Sequence, residues 1–181
     1  MEQASFFVSI AALALSALTF YWVNLREKKN FYLLRVDRIG AFSHPEFALV
    51  NGGSKDILIT KVECAFIGSE TNRCLYPMQR IECGKSGELL LSAGTAVHCR
   101  VDFPEPFTSS FAAEGVVREG TTPIIYEHTL RIDVAWINSN GENYSTSVNI
   151  SKLGFRESGE PCSMSPLEEK HDLLKAALTR K

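Results

Sequence analysis

Most of the signatures that catalytic and metal-binding chains carry are missing here. The four histidines, at 44, 98, 128 and 171, include no i, i+4 pair and no H-E-x-x-H, so the ligand spacing of a zinc site is absent. The five cysteines, at 64, 74, 83, 99 and 162, form no C-x-x-C pair and no regular framework. There is no G-x-S-x-G, no EF-hand pattern and no Gly-rich phosphate loop. The one Asn-Gly-Gly turn, at 51–53, runs into a strand where a phosphate loop requires a helix. Charge of one sign is scarce as well: 19 Lys and Arg against 21 Asp and Glu leave a net charge of -2, which gives no global basic signal of the kind a main nucleic-acid partner calls for. No repeat and no low-complexity run is found. These absences argue against an enzyme, a metal site, a bound cofactor and a nucleic-acid partner.

What is present begins with a long uncharged run. Ala4 to Leu25 holds no acidic or basic side chain and is bracketed by Glu2 and by Arg26-Glu27-Lys28-Lys29. As a helix over these 22 positions it would be roughly 33 Å long, enough for a hydrocarbon core of about 30 Å. Its hydroxyls can bond back to carbonyls of their own helix, and Phe20, Tyr21 and Trp22 cluster at the downstream end, where amphipathic rings favour the headgroup region. A cleaved signal peptide would start with a basic region and end in small residues, and this run does neither. The expectation is a retained single-pass anchor in the lipid bilayer.

Arg26, Lys28, Lys29, Arg35 and Arg38 follow the run, and basic residues beside a span stay on the cytoplasmic side. The folded part is therefore expected in the cytoplasm, with Arg26, Lys28 and Lys29 also able to touch anionic lipid. Ser5, Ser9, Ala12, Ser16 and Thr19 share one helical face at i, i+4, i+7, i+11 and i+14. Such a small-residue stripe suits close packing of helices in lipid, through self-association or against another subunit.

About 150 residues remain, enough for one domain with a substantial core. Alternation at period two marks its strands. Tyr32, Leu34 and Val36 alternate with Leu33, Arg35 and Asp37. Leu58, Val62, Cys64 and Phe66 are expected on one face of a run from Asp56 to Ile67, with Lys61 and Glu63 on the other. Arg73 to Tyr76 reads as a short edge strand and Gly87 to Leu91 as an apolar one. Val97, Cys99, Val101 and Phe103 are expected inward, as are Leu130, Ile132, Val134 and Trp136. Asn140-Gly141 is a hairpin signal leading into Tyr144, Val148 and Ile150. His98 and Cys99 are adjacent in one strand and so point to opposite faces, which keeps that imidazole from activating that thiol.

Each strand has one wet and one dry face, so two stacked sheets are the natural solution. The pattern Phe47-Ala-Leu-Val50, Asn51-Gly-Gly-Ser54, apolar strand resembles the early hairpin of immunoglobulin-like and fibronectin-like domains. The expected fold is an all-β, immunoglobulin-like β-sandwich of about seven to eight strands, between an N-terminal transmembrane helix and a short C-terminal helix. The parts are residues 1–30 as anchor and basic flank, 31–153 as sandwich, and 154–181 as a polar tail.

Two segments are expected outside the sandwich. The connection from Pro104 to Pro123 carries Phe107 and Phe111, and loops of this length are often functional. In the tail, Ser165-Pro166-Leu167-Glu168 reads as a capping box opening a helix with Leu167, Leu174 and Leu178 on one stripe. Phe107, Phe111, Leu174 and Leu178 are thus the expected protein contacts of a membrane-held interaction or scaffolding module. The alternative is an exported sensing or adhesion module, with Cys64 and Cys99 bridged across the sandwich core.

Overall fold

The computed structural model describes residues 2–22, 28–36, 45–68, 81–83, 89–101 and 107–179. A helix α1 (Glu2–Phe20) leads into strands β1 (Phe31–Arg35), β2 (Glu46–Asn51), β3 (Ile57–Ile67), β4 (Ile81–Cys83), β5 (Leu89–Leu91) and β6 (Ala96–Val101). Helix α2 (Ser109–Ala113) and strands β7 (Val116–Val117), β8 (Ile125–Ile137), β9 (Asn143–Arg156), β10 (Pro161–Pro166) and β11 (Lys170–Asp172) follow, then helix α3 (Leu173–Thr179).

The longest alternating run forms the spine. In β8 the even positions from His128 to Trp136 are buried and the odd ones half-exposed, as the period-two pattern requires. β9 pairs with it antiparallel from Ile137↔Asn143 to Ile125↔Arg156. Between them Gly141 takes φ +79° and Asn138 Oδ1 accepts from the amides of Asn140 and Glu142, both at 2.9 Å. Only glycine adopts that φ without a steric cost, which is why the Asn-Gly signal marks this hairpin correctly.

The strands form two antiparallel sheets, ordered β11-β1-β2-β6-β4 and β10-β9-β8-β3-β5, with β7 added beside β8. Inward residues of both sheets form one core. Phe31 of the first sheet meets Trp136 of the second edge to face, with ring centroids 4.9 Å apart. The all-β expectation is met. The described strands number eleven rather than seven or eight, because β7 forms in the connection from Pro104 to Pro123 and β10 and β11 form in the tail, all expected to lie outside the sandwich.

Four expectations are corrected. In β1 the buried residues are Phe31 and Leu33; Tyr32 and Leu34 are only partly covered and Val36 is exposed. Both phases of Phe-Tyr-Leu-Leu look apolar, and pairing decides between them: Leu33 lies across from Leu49, whose side chain is fully buried. In β3 a bulge between Ile59 and Lys61 inserts one residue. Ile57 and Ile59 face inward before it and Cys64 and Phe66 after it, so Leu58 leaves the core face.

The boundary at 153/154 also fails. β9 continues to Arg156 and turns at Gly159 (φ +88°) into β10, an edge strand of the second sheet. β11 then crosses to pair with β1 at the edge of the first. The capping box is not used either: Ser165 and Pro166 belong to β10, and α3 begins at Leu173, where Asp172 Oδ1 accepts from the Lys175 amide at 2.9 Å. Leu173 and Ala177 are buried, so α3 docks on its own domain. Residues 73–76, Arg26, Arg38, His44, Cys74 and Phe103 lie outside the described residues.

Candidate functional site

The chain enters the sandwich at Lys28, and the Asn-Gly-Gly-Ser turn after β2 receives it. Ser54 N donates to Lys28 O at 2.9 Å, and Lys28 N donates to Ser54 Oγ at 3.1 Å. This close approach needs Gly53: a Cβ there would lie 2.8 Å from Lys28 O and 3.0 Å from Asn51 Oδ1. Asn51 holds the turn from inside, at 1% exposure. Its Nδ2 donates to Lys55 O and Leu91 O, both at 2.9 Å, and its Oδ1 accepts from Gly53 N at 3.0 Å. The buried amide is thereby satisfied as both donor and acceptor.

Around this clamp the N-terminal end of the sandwich opens into a small, shallow cleft of about 40 Å³. Its floor is apolar, built from Phe31, Ile57, Trp136, Tyr144 and Leu174, with Trp136 and Tyr144 stacked at 5.5 Å. Its rim carries Lys28, Lys29 and Lys55 against one carboxylate, Asp56. Asp56 is engaged, since its Oδ1 accepts from Ala93 N at 2.9 Å. A second depression shares Lys29 and Leu174 and adds Lys175, Leu178 and Asp172. Four lysines from three separate segments therefore border one end of the domain. An apolar floor with a cationic rim matches a ligand that is anionic at one end and apolar at the other.

The opposite end is closed. Phe66, Phe107, Phe111 and Phe155 pack edge to face or stacked, with centroids between 4.9 and 6.3 Å. His128 joins them, stacked on Phe111 at 4.3 Å, with Nε2 3.4 Å from Ala112 O. Burial lowers the His128 pKa below its ordinary 6.5, against the opposing pull of the Ala112 and Phe111 backbone and of Glu114. Burial thus favours the neutral ring.

The expected site residues are dispersed by the fold. Phe111 is 3% exposed and Phe107 packs against the core, so neither offers the contact surface expected of them. Thr108 Oγ1 caps α2 by accepting from Phe111 N at 3.2 Å and turns that ring inward. Leu174 lines the cleft, Leu178 is 54% exposed, and Leu167 lies apart from both at an exposed position. Ser9, Ala12, Ser16 and Thr19 are exposed on α1, where Thr19 Oγ1 donates back to Leu15 O at 2.8 Å; Ser5 is helical, its side chain lying outside the described residues. Lys28 and Lys29 stand on the cleft rim.

The bridge between Cys64 and Cys99 is excluded. Cys99 is disulfide-bonded while Cys64 and Cys162 are free, and the register sets Cys83, not Cys64, directly across from Cys99. Burial, with Asp133 nearby, pushes the Cys64 thiol far above its ordinary range, so it is no thiolate nucleophile. Among the described residues no cluster of three or more His, Cys, Asp or Glu could hold a metal ion.

Sequence reasoning identified the Asn-Gly-Gly turn but missed the cleft. Lys55 and Lys175 are 120 positions apart and carry no shared signal. No family model and no curated protein matches the chain.

Proposed function

We propose that the protein is a single-pass, membrane-anchored immunoglobulin-like β-sandwich that serves as a protein-interaction or scaffolding module at the bilayer. The observation that carries this reading is the uncovered apolar surface of α1. Phe7 is 69% exposed, Leu13 73% and Leu15 64%, on different faces of one helix, and Tyr21 and Trp22 beyond it are exposed as well. Large apolar side chains exposed together in this way are normally covered, by lipid or by protein. Among the described residues no helix is long and apolar enough to cross a membrane. The span read from the sequence, Ala4 to Leu25, passes out of the described residues after Trp22, and its continuation as a crossing belongs to the proposal.

Strand order supports the immunoglobulin-like reading. β1-β2-β6-β4 in one sheet and β9-β8-β3 in the other follow the A-B-E-D and G-F-C arrangement of constant-type domains, with β10, β11 and α3 as additions. The small-residue face of α1 supports pairing with a second membrane helix.

A second placement is favoured by one observation. The disulfide at Cys99 belongs in an oxidising compartment, which supports an exported sensing or adhesion domain over a cytoplasmic one. The basic flank supports the cytoplasmic side. Alkaline carbonate extraction of membranes tests the anchor: the full chain stays in the pellet, and its release into the supernatant would overturn the reading. A Ser158→Cys variant, exposed in the β9–β10 turn, then tests the side. Extra labelling by an impermeant maleimide on intact cells, counted over the parent chain, selects the exported module; labelling only after permeabilisation selects the cytoplasmic one.

A further inference from the structure

We infer that the cleft at the N-terminal end of the sandwich is a seat for the headgroup of an anionic phospholipid, which fixes the domain against the bilayer that α1 enters. The inference rests on the anchor reading above and adds a binding site to it.

Position comes first. The apolar run ends at Leu25 and the rim begins at Lys28, so only Arg26 and Glu27 lie between the end of the run and the cleft, three steps along the chain of at most about 3.6 Å each. The tether is short at the domain side too, because Lys28 is bonded through both its N and its O to Ser54. A domain clamped this near the end of an anchor presents that end, and no other, to the headgroup layer.

Chemistry comes second. A phospholipid headgroup joins a phosphate to the first carbons of apolar chains. The cleft sets Lys28, Lys29 and Lys55 around an aromatic floor that includes Trp136 and Tyr144, and Lys175 extends the rim on the α3 side. Lysines are the usual partners of anionic lipid surfaces, and aromatic rings suit the depth of the headgroups. Among the described residues the lining carboxylates are Asp56 and, beside Lys175, Asp172, and each already accepts from a backbone amide, Asp56 from Ala93 and Asp172 from Lys175.

Lys28 and Lys29 alone would be a basic flank of the sort that sets topology. Lys55 and Lys175 come from the β2–β3 turn and from α3, and only folding brings them to the same place. They separate a built site from a flank.

The test is residue-resolved amine footprinting of the full chain. The chain is first floated with phosphatidylcholine vesicles; failure to float overturns the anchor and with it the seat. Reconstituted chain is then treated with an amine-reactive reagent in nanodiscs of phosphatidylcholine alone and in nanodiscs with about 30 mole per cent phosphatidylglycerol, and acylation is read at each lysine by mass spectrometry. The expected result is a slowing of about threefold or more at Lys55 and Lys175 with the anionic lipid, with Lys152 on the second sheet unchanged. A Lys55→Glu/Lys175→Glu double variant, melting as the parent does, should also lose most of the protection at Lys28 and Lys29. Equal rates in both lipids, or protection confined to Lys28 and Lys29, would overturn the seat. Equal protection by inorganic phosphate in pure phosphatidylcholine would overturn the lipid as its source.

Discussion

The two ends of the sandwich solve the same problem in opposite ways. A pair of stacked sheets leaves an opening at each end, where inward side chains run out before the backbone does. At the far end α2 and the residue before its cap fold over the opening and fill it with Phe111 and Phe107 against Phe66, Phe155 and His128. At the near end the opening stays, floored by Trp136 and Tyr144 and bordered by lysines. The closed end contributes burial and the open end contributes a surface, so perturbations of the two should separate stability from function.

The largest effect should come from the closed end. Phe111→Ala removes a ring that touches four others and should cost about 3–5 kcal/mol, measurable as a lower urea midpoint at an unchanged m-value. A loss under about 1 kcal/mol would mean that α2 is a peripheral loop, as the sequence alone suggested.

Next in size is the clamp of the open end. Asn51→Asp preserves shape but sets a carboxylate against the Lys55 and Leu91 carbonyls and removes both donors. About 2 kcal/mol or more should be lost in thermal unfolding, whereas Asn51 as mere turn filler would tolerate the change.

A smaller effect comes from His128. Its folded-state pKa is lowered from 6.5, chiefly by burial, so the unfolded chain takes up the proton first as pH falls. The stability tied to the neutral ring is therefore fully present above about pH 6.5 and declines below it. His128→Phe, which keeps the stack on Phe111, should flatten part of that decline. His171 keeps the remainder, since burial lowers its pKa too, opposed by Glu168. Identical pH profiles for parent and variant would show that the far end is not the acid-sensitive one.

The smallest stability effect is expected on the rim. Lys55→Glu should shift unfolding by no more than about 0.5 kcal/mol, because the side chain is exposed. The same change should alter the lipid response of the cleft. A large stability loss here would erase the contrast between the ends.

Legibility followed the range of the interactions. The β8 face of Leu130, Ile132, Val134 and Trp136 was readable because one buried face repeats every second residue, and the Asn140-Gly141 hairpin because its turn takes a positive φ at Gly141, which glycine adopts without a steric cost. The β1 phase was not, since Phe31, Tyr32, Leu33 and Leu34 are all apolar enough for either face. The bulge in β3 was also silent, for an extra residue leaves no mark in a sequence that is apolar on both sides of it. Phe107 and Phe111 were misread for a related reason: a long connection looks exposed until a short helix folds it back onto the core.

By itself, then, the sequence determined the all-β class, the core of β8, the hairpin that follows it and the uncharged run of α1, all set by neighbours a few positions apart. Tertiary structure decided that the C-terminal residues supply an edge strand to each sheet, that Cys99 is bridged while Cys64 stays free, and that Lys28, Lys29, Lys55 and Lys175 meet at one end. Those outcomes depend on which distant segments pair, and pairing is chosen by the burial of a whole core rather than by any local pattern.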